Sequence, residues 1–443
     1  MAKITFLGAG SMIFTRRLAR DILTFPLMRD STICLMDIDK QRLEYSRKCV
    51  EHIVRLGKYK ARIETTMDRK KALSGADAVL CTILSGGVEV WRHDIEIPKK
   101  YGVDINIGDT RGPSGIFRAL RTVPVMLDIC RDMEEICPDA ILLNYTNPMS
   151  MLCRAMQKKS EIRVTGLCHS VQSTAMMLAG LIGAGMDRVT FLCAGINHQS
   201  WYIEFRKDGK DAYPEIKREI KKKKNYWKSP VRNEMCLALG YYVTESGGHN
   251  SEYNWWFRKR PDLLKIYFAD KNGVPNSGRY GRILELYLDR KASWKKVMEE
   301  WIEKTGKNEI LQPGHEYASR IINAYIGGDP FLFNGNVPNT GIITNLPNNV
   351  CVEVPVLADR RGFSSIHVGN LPAQCAALNN ISIAVEEMAV EGILEGNAEK
   401  IYQAVCYDPL TAAVLSLGEI RSMVNEMFEK NRDYMPGFKK KKA

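Results

Sequence analysis

The sequence predicts an α/β chain in two parts: a parallel sheet covered by helices, then an α+β part with an antiparallel sheet and helices. Three observations predict it. Residues 1–170 alternate short apolar runs with segments of helical period, the pattern of a parallel sheet with crossover helices. A Gly8-Ala9-Gly10-Ser11 turn follows the first apolar run directly. From about Asp187 the rhythm changes to two neighbouring strand-like runs. At 443 residues the chain exceeds the usual size of one domain, so two packed domains are expected, 1–170 and 171–443.

Taken in order, strands are expected at Ile4 to Leu7, Ile33 to Met36, Ala78 to Leu84 and Ala140 to Leu143. The last two are nearly all apolar, as strands are when both faces of a sheet are covered. Between them Ile116, Leu120, Val123, Leu127, Cys130 and Cys137 recur mostly at steps of three and four, one face of a helix. Pro124 is expected to break or kink it. Arg163 to Leu167 forms a further strand and delivers Cys168 at its carboxyl end, where open α/β sheets collect their ligands. Val189 to Ile196 and Trp201 to Arg206 then suggest the antiparallel sheet, and Ser293 to Lys304 and Ala376 to Leu394 read as helices. Lys217 to Lys228 is the expected mobile loop.

Composition excludes several classes of protein. No apolar run approaches the length of a membrane span, and no cleavable apolar leader precedes the first strand, so a cytoplasmic location is expected. The net charge of +12 raises nucleic-acid binding. However, the lysines concentrate in Lys221–Lys224 and Lys439–Lys442, without interleaved aromatic residues. They read as solvated surface and a disordered tail, with no nucleic acid as partner. The twelve cysteines are scattered from Cys34 to Cys406, and most lie in apolar runs, as reduced cysteines of a cytoplasmic protein do.

Chemistry is carried by polar residues at the ends of strands. Gly8 and Gly10, with Ser11, let backbone amides approach a pyrophosphate where a helix begins. The third glycine of the usual pattern is replaced by Ile13. Asp37 ends the second strand, where a carboxylate bonds ribose hydroxyls and selects NAD over NADP; Asp39 is the alternative. Ser85-Gly86-Gly87 and Asn144-Tyr145-Thr146-Asn147-Pro148 are loops where nicotinamide and substrate would meet. The second is either a plain turn or a functional one with a cis Asn147-Pro148 bond. Gly108 to Arg118, which includes Asp109, reads as a flexible loop opening into a helix and able to close over a ligand. Arg118 and Arg121 are either substrate contacts or solvated helix charges. Cys168 and His198 form a soft and borderline ligand pair that leaves positions on an ion for substrate oxygens.

These segments resemble glycoside hydrolase family 4, and within it the α-galactosidase subgroup, essentially from end to end. The most specific are Leu143 to Met149, Gly166-Leu167-Cys168-His169-Ser170-Val171-Gln172 and Ala194-Gly195-Ile196-Asn197-His198. Tyr242 to Ser246, Asn345-Leu346-Pro347 and Val352-Glu353-Val354 agree as well. The resemblance implies hydrolysis by oxidation of the sugar at carbon 3 with NAD, proton removal at carbon 2, elimination of the aglycone, water addition and re-reduction, an exception to the two-carboxylate scheme. It implies Cys168 and His198 as ligands of Mn²⁺ or another divalent ion, with reducing conditions to protect the thiolate. Tyr253 is the implied base at carbon 2, or else an amphipathic aromatic beside Trp255 and Trp256. Its usual pKa near ~10 then requires a nearby cation or metal. His169 is the implied acid for the leaving group. Ser85 and Asn144 join Gly8, Gly10, Ser11 and Asp37 as cofactor contacts, and Asn147, Asp109, Arg118 and His249 contact the sugar. Homodimers or homotetramers are the family expectation, and the partner is a small glycoside.

Departures from the subgroup pattern fall at Arg111, Ser114 and Gly247-Gly248. They bear on the hexose: an α-galacturonide, α-glucuronide or α-glucoside is the alternative, with Arg111 available to pair a uronate carboxylate. A hydroxy-acid dehydrogenase of the lactate/malate type would share the two-domain build. It would consume NAD stoichiometrically and leave Cys168 and His198 without a role.

Overall fold

Short β-branched and aliphatic runs, each ended by a glycine or a polar residue, become the strands of one mixed sheet. The computed structural model describes residues 1–11, 13–268, 278–304 and 309–438. In chain order the strands are β1 (Lys3–Leu7), β2 (Thr32–Met36), β3 (Arg62–Thr66), β4 (Ala78–Cys81), β5 (Ile141–Asn144) and β6 (Arg163–Gly166). They continue with β7 (Val189–Ile196), β8 (Gln199–Lys207), β9 (Lys210–Asp211), β10 (Phe331–Pro338), β11 (Cys351–Asp359) and β12 (Gly362–Ser365). The lateral order is β3-β2-β1-β4-β5-β6-β10-β11-β7-β8-β9, with β12 on β11.

The first six strands are parallel, in the 3-2-1-4-5-6 order of a dinucleotide-binding sheet. The order reverses between β1 and β4, so the glycine turn after β1 and the Ser85-Gly86-Gly87 loop flank the switch point where such sheets take their ligands. Beyond β6 every pairing is antiparallel. The α/β class and the change of style near Asp187 are as the sequence predicts.

β4 and β5 are buried at every position because helices cover both faces. One core face joins Ile4 and Phe6 of β1 to Val352, Val354 and Val356 of β11 and to Ile383 of the helix Ala373–Glu395. The hydrophobic interior therefore runs without interruption from the parallel into the antiparallel part.

Several local expectations need correction. The helix Gly112–Ile136 runs unbroken through Pro124, whose ring lies on the exposed side while Val123 and Met126 hold the core face. Lys217 to Lys228 is mostly helical, in Tyr213–Ile220 and Lys223–Tyr226, and buried Asn225 donates to the Glu219 carbonyl at 3.1 Å. β3 is absent from the predicted strands because its sequence, Arg-Ile-Glu-Thr-Thr, lies largely exposed at the sheet edge and has no apolar run. The helix expected from Ser293 begins at Arg282. Lys439–Lys442 lie outside the described residues. Among the described residues no helix is long and apolar enough to cross a membrane, and all twelve cysteines are free thiols.

Candidate active site

The glycine turn is held from below. Gly8 has φ of +82°, and a side chain there would lie 2.6 Å from the Thr82 carbonyl oxygen. A Cβ on Gly10 would come within 2.8 Å of the Asp37 carboxylate, which accepts the Gly10 amide at 2.7 Å. The other oxygen of Asp37 accepts the Asp39 amide at 2.9 Å, so the carboxylate joins the glycine turn to the loop after β2. Asp39 caps the helix Lys40–Gly57 through the amides of Gln41 and Arg42. The helix Phe14–Leu23 has no acidic residue in its first turn, and Ser11 Oγ accepts the Phe14 amide at 3.3 Å. Free N–H groups at this end suit an anion such as a pyrophosphate. Ser85 donates to the Arg121 carbonyl at 3.0 Å.

Asn144 is fully buried. Its amide donates to the Thr146 carbonyl at 3.0 Å and accepts the Thr146 amide at 2.9 Å, so its side chain shapes the loop and lies beneath the site. Asn147, joined to Pro148 by a cis bond, donates to Asp109 at 3.1 Å.

Cys168, at the end of β6, meets His198, in the β7–β8 turn, and Glu245; their ligand atoms all lie within 4.8 Å of one another. One ion with bonds of about 2.0–2.3 Å could reach all three. His198 (φ +64°) and Glu245 (φ +64°) both sit in the left-handed region, a strain that persists where surrounding structure holds it for function. Thr110 Oγ1 lies 2.7 Å from Asp109 Oδ1 and 3.1 Å from His198 Nδ1. With the hydroxyl donating to the carboxylate, Nδ1–H donates to the hydroxyl. That tautomer leaves the Nε2 lone pair facing Glu245 at 3.6 Å, free for a cation.

The electrostatics fit the same reading. Burial, then Glu245 and Glu353, push the Cys168 thiol well above its ordinary range, and burial lowers His198 to about 4. Burial alone would raise Glu245, but His249 and His198 outweigh it and hold the carboxyl well below its usual range. A buried thiol 4.0 Å from an ionised carboxylate is a site where a bound cation would release the thiol proton.

A second triad, Asp109, His198 and His249, lies equally close. His249 has both nitrogens engaged: Nε2 with Asp109 at 3.3 Å and Nδ1 with Ser246 at 2.9 Å and Glu245 at 3.3 Å. Burial opposes its charge, yet Glu245 and Asp109 raise it to about 10. Its position between two carboxylates favours the protonated ring over ligation of an ion.

Tyr253 is buried, with Oη 3.3 Å from His198 Nδ1 and the Arg111 guanidinium 4.5 Å from its ring centroid. Burial raises the phenol well above its usual value, and Arg111 opposes that shift. Arg111 itself donates to Glu386 at 2.8 Å and to the Asn197 carbonyl at 2.7 Å. Arg118 donates to the Asn147 carbonyl at 3.0 Å and lies 4.6 Å over the Trp91 ring. Arg121 pairs with buried Asp94 at 3.0 Å. Both are buried, so neither is a solvated helix charge.

The Gly108 loop is anchored: Glu252, itself buried, accepts the amides of Asn106, Ile107 and Gly108. His169 stands apart. It is exposed and 3.9 Å from Glu316, and no hydrogen bond joins it to the cluster among the described residues.

Glu245, Thr110 and Glu252 have no role in the sequence reading. Glu245 lies outside the helix that carries His249, so helical spacing does not reveal their pairing at 3.3 Å.

Fold and cluster together define a dinucleotide-fold protein with a Cys-His-Glu cluster that could hold a metal ion, its cysteine and histidine just beyond the carboxyl ends of two strands. Family comparison makes the class specific. Residues 3–184 match the family 4 glycosyl hydrolase model and residues 193–411 its C-terminal domain. An α-galactosidase of Bacillus subtilis is 42% identical over 99% of this chain and 100% of its own length. An α-galactosidase of Rhizobium meliloti is 34% identical over 98% and 89%. The crystal structure of a 6-phospho-α-glucosidase from gut microorganisms, in complex with NAD and Mn²⁺, shares the fold. Its TM-score is 0.79 at 20% identity, over 98% of both chains. The chain belongs to glycoside hydrolase family 4, and it is a glycosidase.

Proposed function

We propose that this chain hydrolyses α-galactosides with NAD and a divalent ion, Mn²⁺ first among them, by oxidation at carbon 3, elimination, hydration and re-reduction. The observation that carries the chemistry is the meeting of Cys168, His198 and Glu245 beside Tyr253, on the sheet that bears the glycine turn. The α-galactosidase relative at 42% identity over 99% of the chain supports the sugar. Bound NAD would supply a hydride acceptor and donor, and a bound divalent ion a Lewis acid for sugar oxygens.

Gly8, Gly10, Ser11, Asp37 and Ser85 would hold the dinucleotide, and Cys168, His198 and Glu245 the ion. The remaining work falls to the chain's own groups. Tyr253 Oη would take the proton from carbon 2, with Arg111 against its ring favouring the anion. Asp109, with its partners Asn147 and His249, and Arg118 would orient the hydroxyls. His169, exposed at the end of β6, would protonate the departing oxygen. In this reading 1–170 is the NAD domain, and 171–443 carries the metal and substrate side and the contacts of a homodimer or homotetramer. A cytoplasmic setting would keep Cys168 reduced.

The same chemistry on a uronide is the second reading. Arg111 is already paired with Glu386, so it is not the free cation a uronate needs. Arg118 is a better candidate. Among the described residues its Nη1, like that of Arg111, is buried without a hydrogen-bond partner, and its one side-chain hydrogen bond is to the Asn147 carbonyl rather than to a carboxylate.

Nitrophenyl α-galactoside, α-galacturonide, α-glucuronide and α-glucoside, assayed with Mn²⁺, thiol and catalytic NAD and with each omitted, test both readings. The expected result is nitrophenol from the galactoside, lost without metal or NAD. Turnover of a uronide alone would move the assignment to the second reading. NADH accumulating on a hydroxy acid, with no sugar turned over, would overturn both.

A further inference from the structure

Glu353 lies in the Val352-Glu353-Val354 segment, which has no part in the reaction as described. It is fully buried on β11. The register places it in a lateral row: Ser200 and Gly195 pair across β8 and β7, Gly195 with Glu353, Glu353 with Asn336 of β10, and Asn336 with Gly166 of β6. Cys168 lies two residues beyond one end of this row. His198 lies between Gly195 and Ser200 at the other. The separation of the two ligands is therefore spanned by these residues.

Two of the junctions are slender. β6 meets β10 through the one registered pair Asn336–Gly166, and β11 meets β7 through Glu353–Gly195. Buried side chains reinforce the row. Asn336 donates to the Gly166 carbonyl at 3.1 Å, and Ser200 Oγ donates to Glu353 Oε2 at 2.7 Å. The amides of Asn197 and Asn336 flank the carboxyl, whose Oε1 has no hydrogen-bond partner among the described residues. Gly195 leaves room at this point: a Cβ there would lie 2.8 Å from the Gln199 carbonyl oxygen.

We propose that Glu353 is a positioning residue for the Cys168–His198–Glu245 cluster. Its carboxyl ties Ser200, at the start of β8, to β11, whose pairing with Asn336 of β10 leads on to Gly166 of β6. This row sets the distance between the two strand ends that carry Cys168 and His198. Burial raises this carboxyl to about 7; a divalent ion at the cluster would favour its ionised form, which then adds negative charge behind Cys168. The inference rests on the metal role given to that cluster.

The test is Mn²⁺ binding by the full-length chain, followed by electron paramagnetic resonance and calorimetry, with no substrate present. Glu353→Gln keeps the shape and removes the charge. Ser200→Ala keeps the carboxyl and removes its donor, and provides the comparison should the first variant fail to fold. The expected result is Mn²⁺ affinity lowered about 10- to 100-fold in Glu353→Gln, the range seen when outer-shell partners of metal ligands are removed. A smaller loss is expected in Ser200→Ala, and the unfolding midpoint and NAD affinity should be unchanged in both. Wild-type Mn²⁺ affinity in both variants would overturn the proposal. So would losses of Mn²⁺ affinity, NAD affinity and stability in step, which mark a merely structural residue. A wild-type chain that takes up no Mn²⁺ would overturn the metal role of the cluster, and this inference with it.

Discussion

At the scale of single residues, Tyr253 shows how position outweighs residue type. Burial favours its neutral phenol, so in the proposed role of base the hydroxyl would first have to lose its proton. The Arg111 guanidinium against the ring is the cation that favours that loss. Tyr253→Phe keeps the ring and removes the hydroxyl. We expect kcat to fall by about 10²–10⁴-fold, the usual value of a general base, with Mn²⁺ still bound. Deuterium wash-in at carbon 2 in D₂O should disappear with it; undiminished wash-in would assign the base elsewhere. Cys168, His198, Asn147 and Tyr253 can be singled out from the sequence because they fall in short, distinctive motifs. Glu245 cannot be assigned in the same way, because a carboxylate in a loop becomes a ligand candidate only when the fold brings it to Cys168.

At the scale of elements, caps and anchors decide how the loops of the site are held. Asp408 caps the short helix Pro409–Ala412 by accepting the Thr411 amide at 3.0 Å. It is buried against Gly112, at the start of the helix that carries Arg118. Burial raises its carboxyl from 3.8 to about 6. Between those values the folded state binds the extra proton, so this contribution to stability is full below pH 3.8 and is lost as pH rises through 6. Its size is at most about 3 kcal/mol. Asp408→Asn keeps an acceptor for Thr411 and removes the titration. Urea unfolding at pH 4 and pH 7 should show the variant gaining on wild type at the higher pH; an equal difference at both would refute it. The helix Gly112–Ile136 makes the complementary point: one proline predicts a break, but the ring faces solvent and the buried face carries the helix through.

At the scale of the whole molecule, the sheet crosses from parallel to antiparallel without a gap, and the core that packs on it contains residues of both parts. Such a core should unfold as one unit. Calorimetry of the chain without ligands is expected to give a single transition, coincident by far-ultraviolet dichroism and tryptophan fluorescence. Two separated transitions would show that the parallel and antiparallel parts are stable independently.

The sequence by itself determined the α/β class, the strand-ending glycine turn, the cysteine and histidine at strand ends and the family. These depend on local period and short motifs, which neighbouring residues carry along the chain. The tertiary structure decided which carboxylates join the cluster, which arginines are buried and paired, and how Cys168 is held opposite His198. Those outcomes depend on contacts between residues far apart in the chain, such as Asn336 with Gly166 or Arg111 with Glu386. The physical reason is that a buried charge is tolerable only beside its partner, and partners are chosen by how strands and helices pack rather than by spacing in the chain.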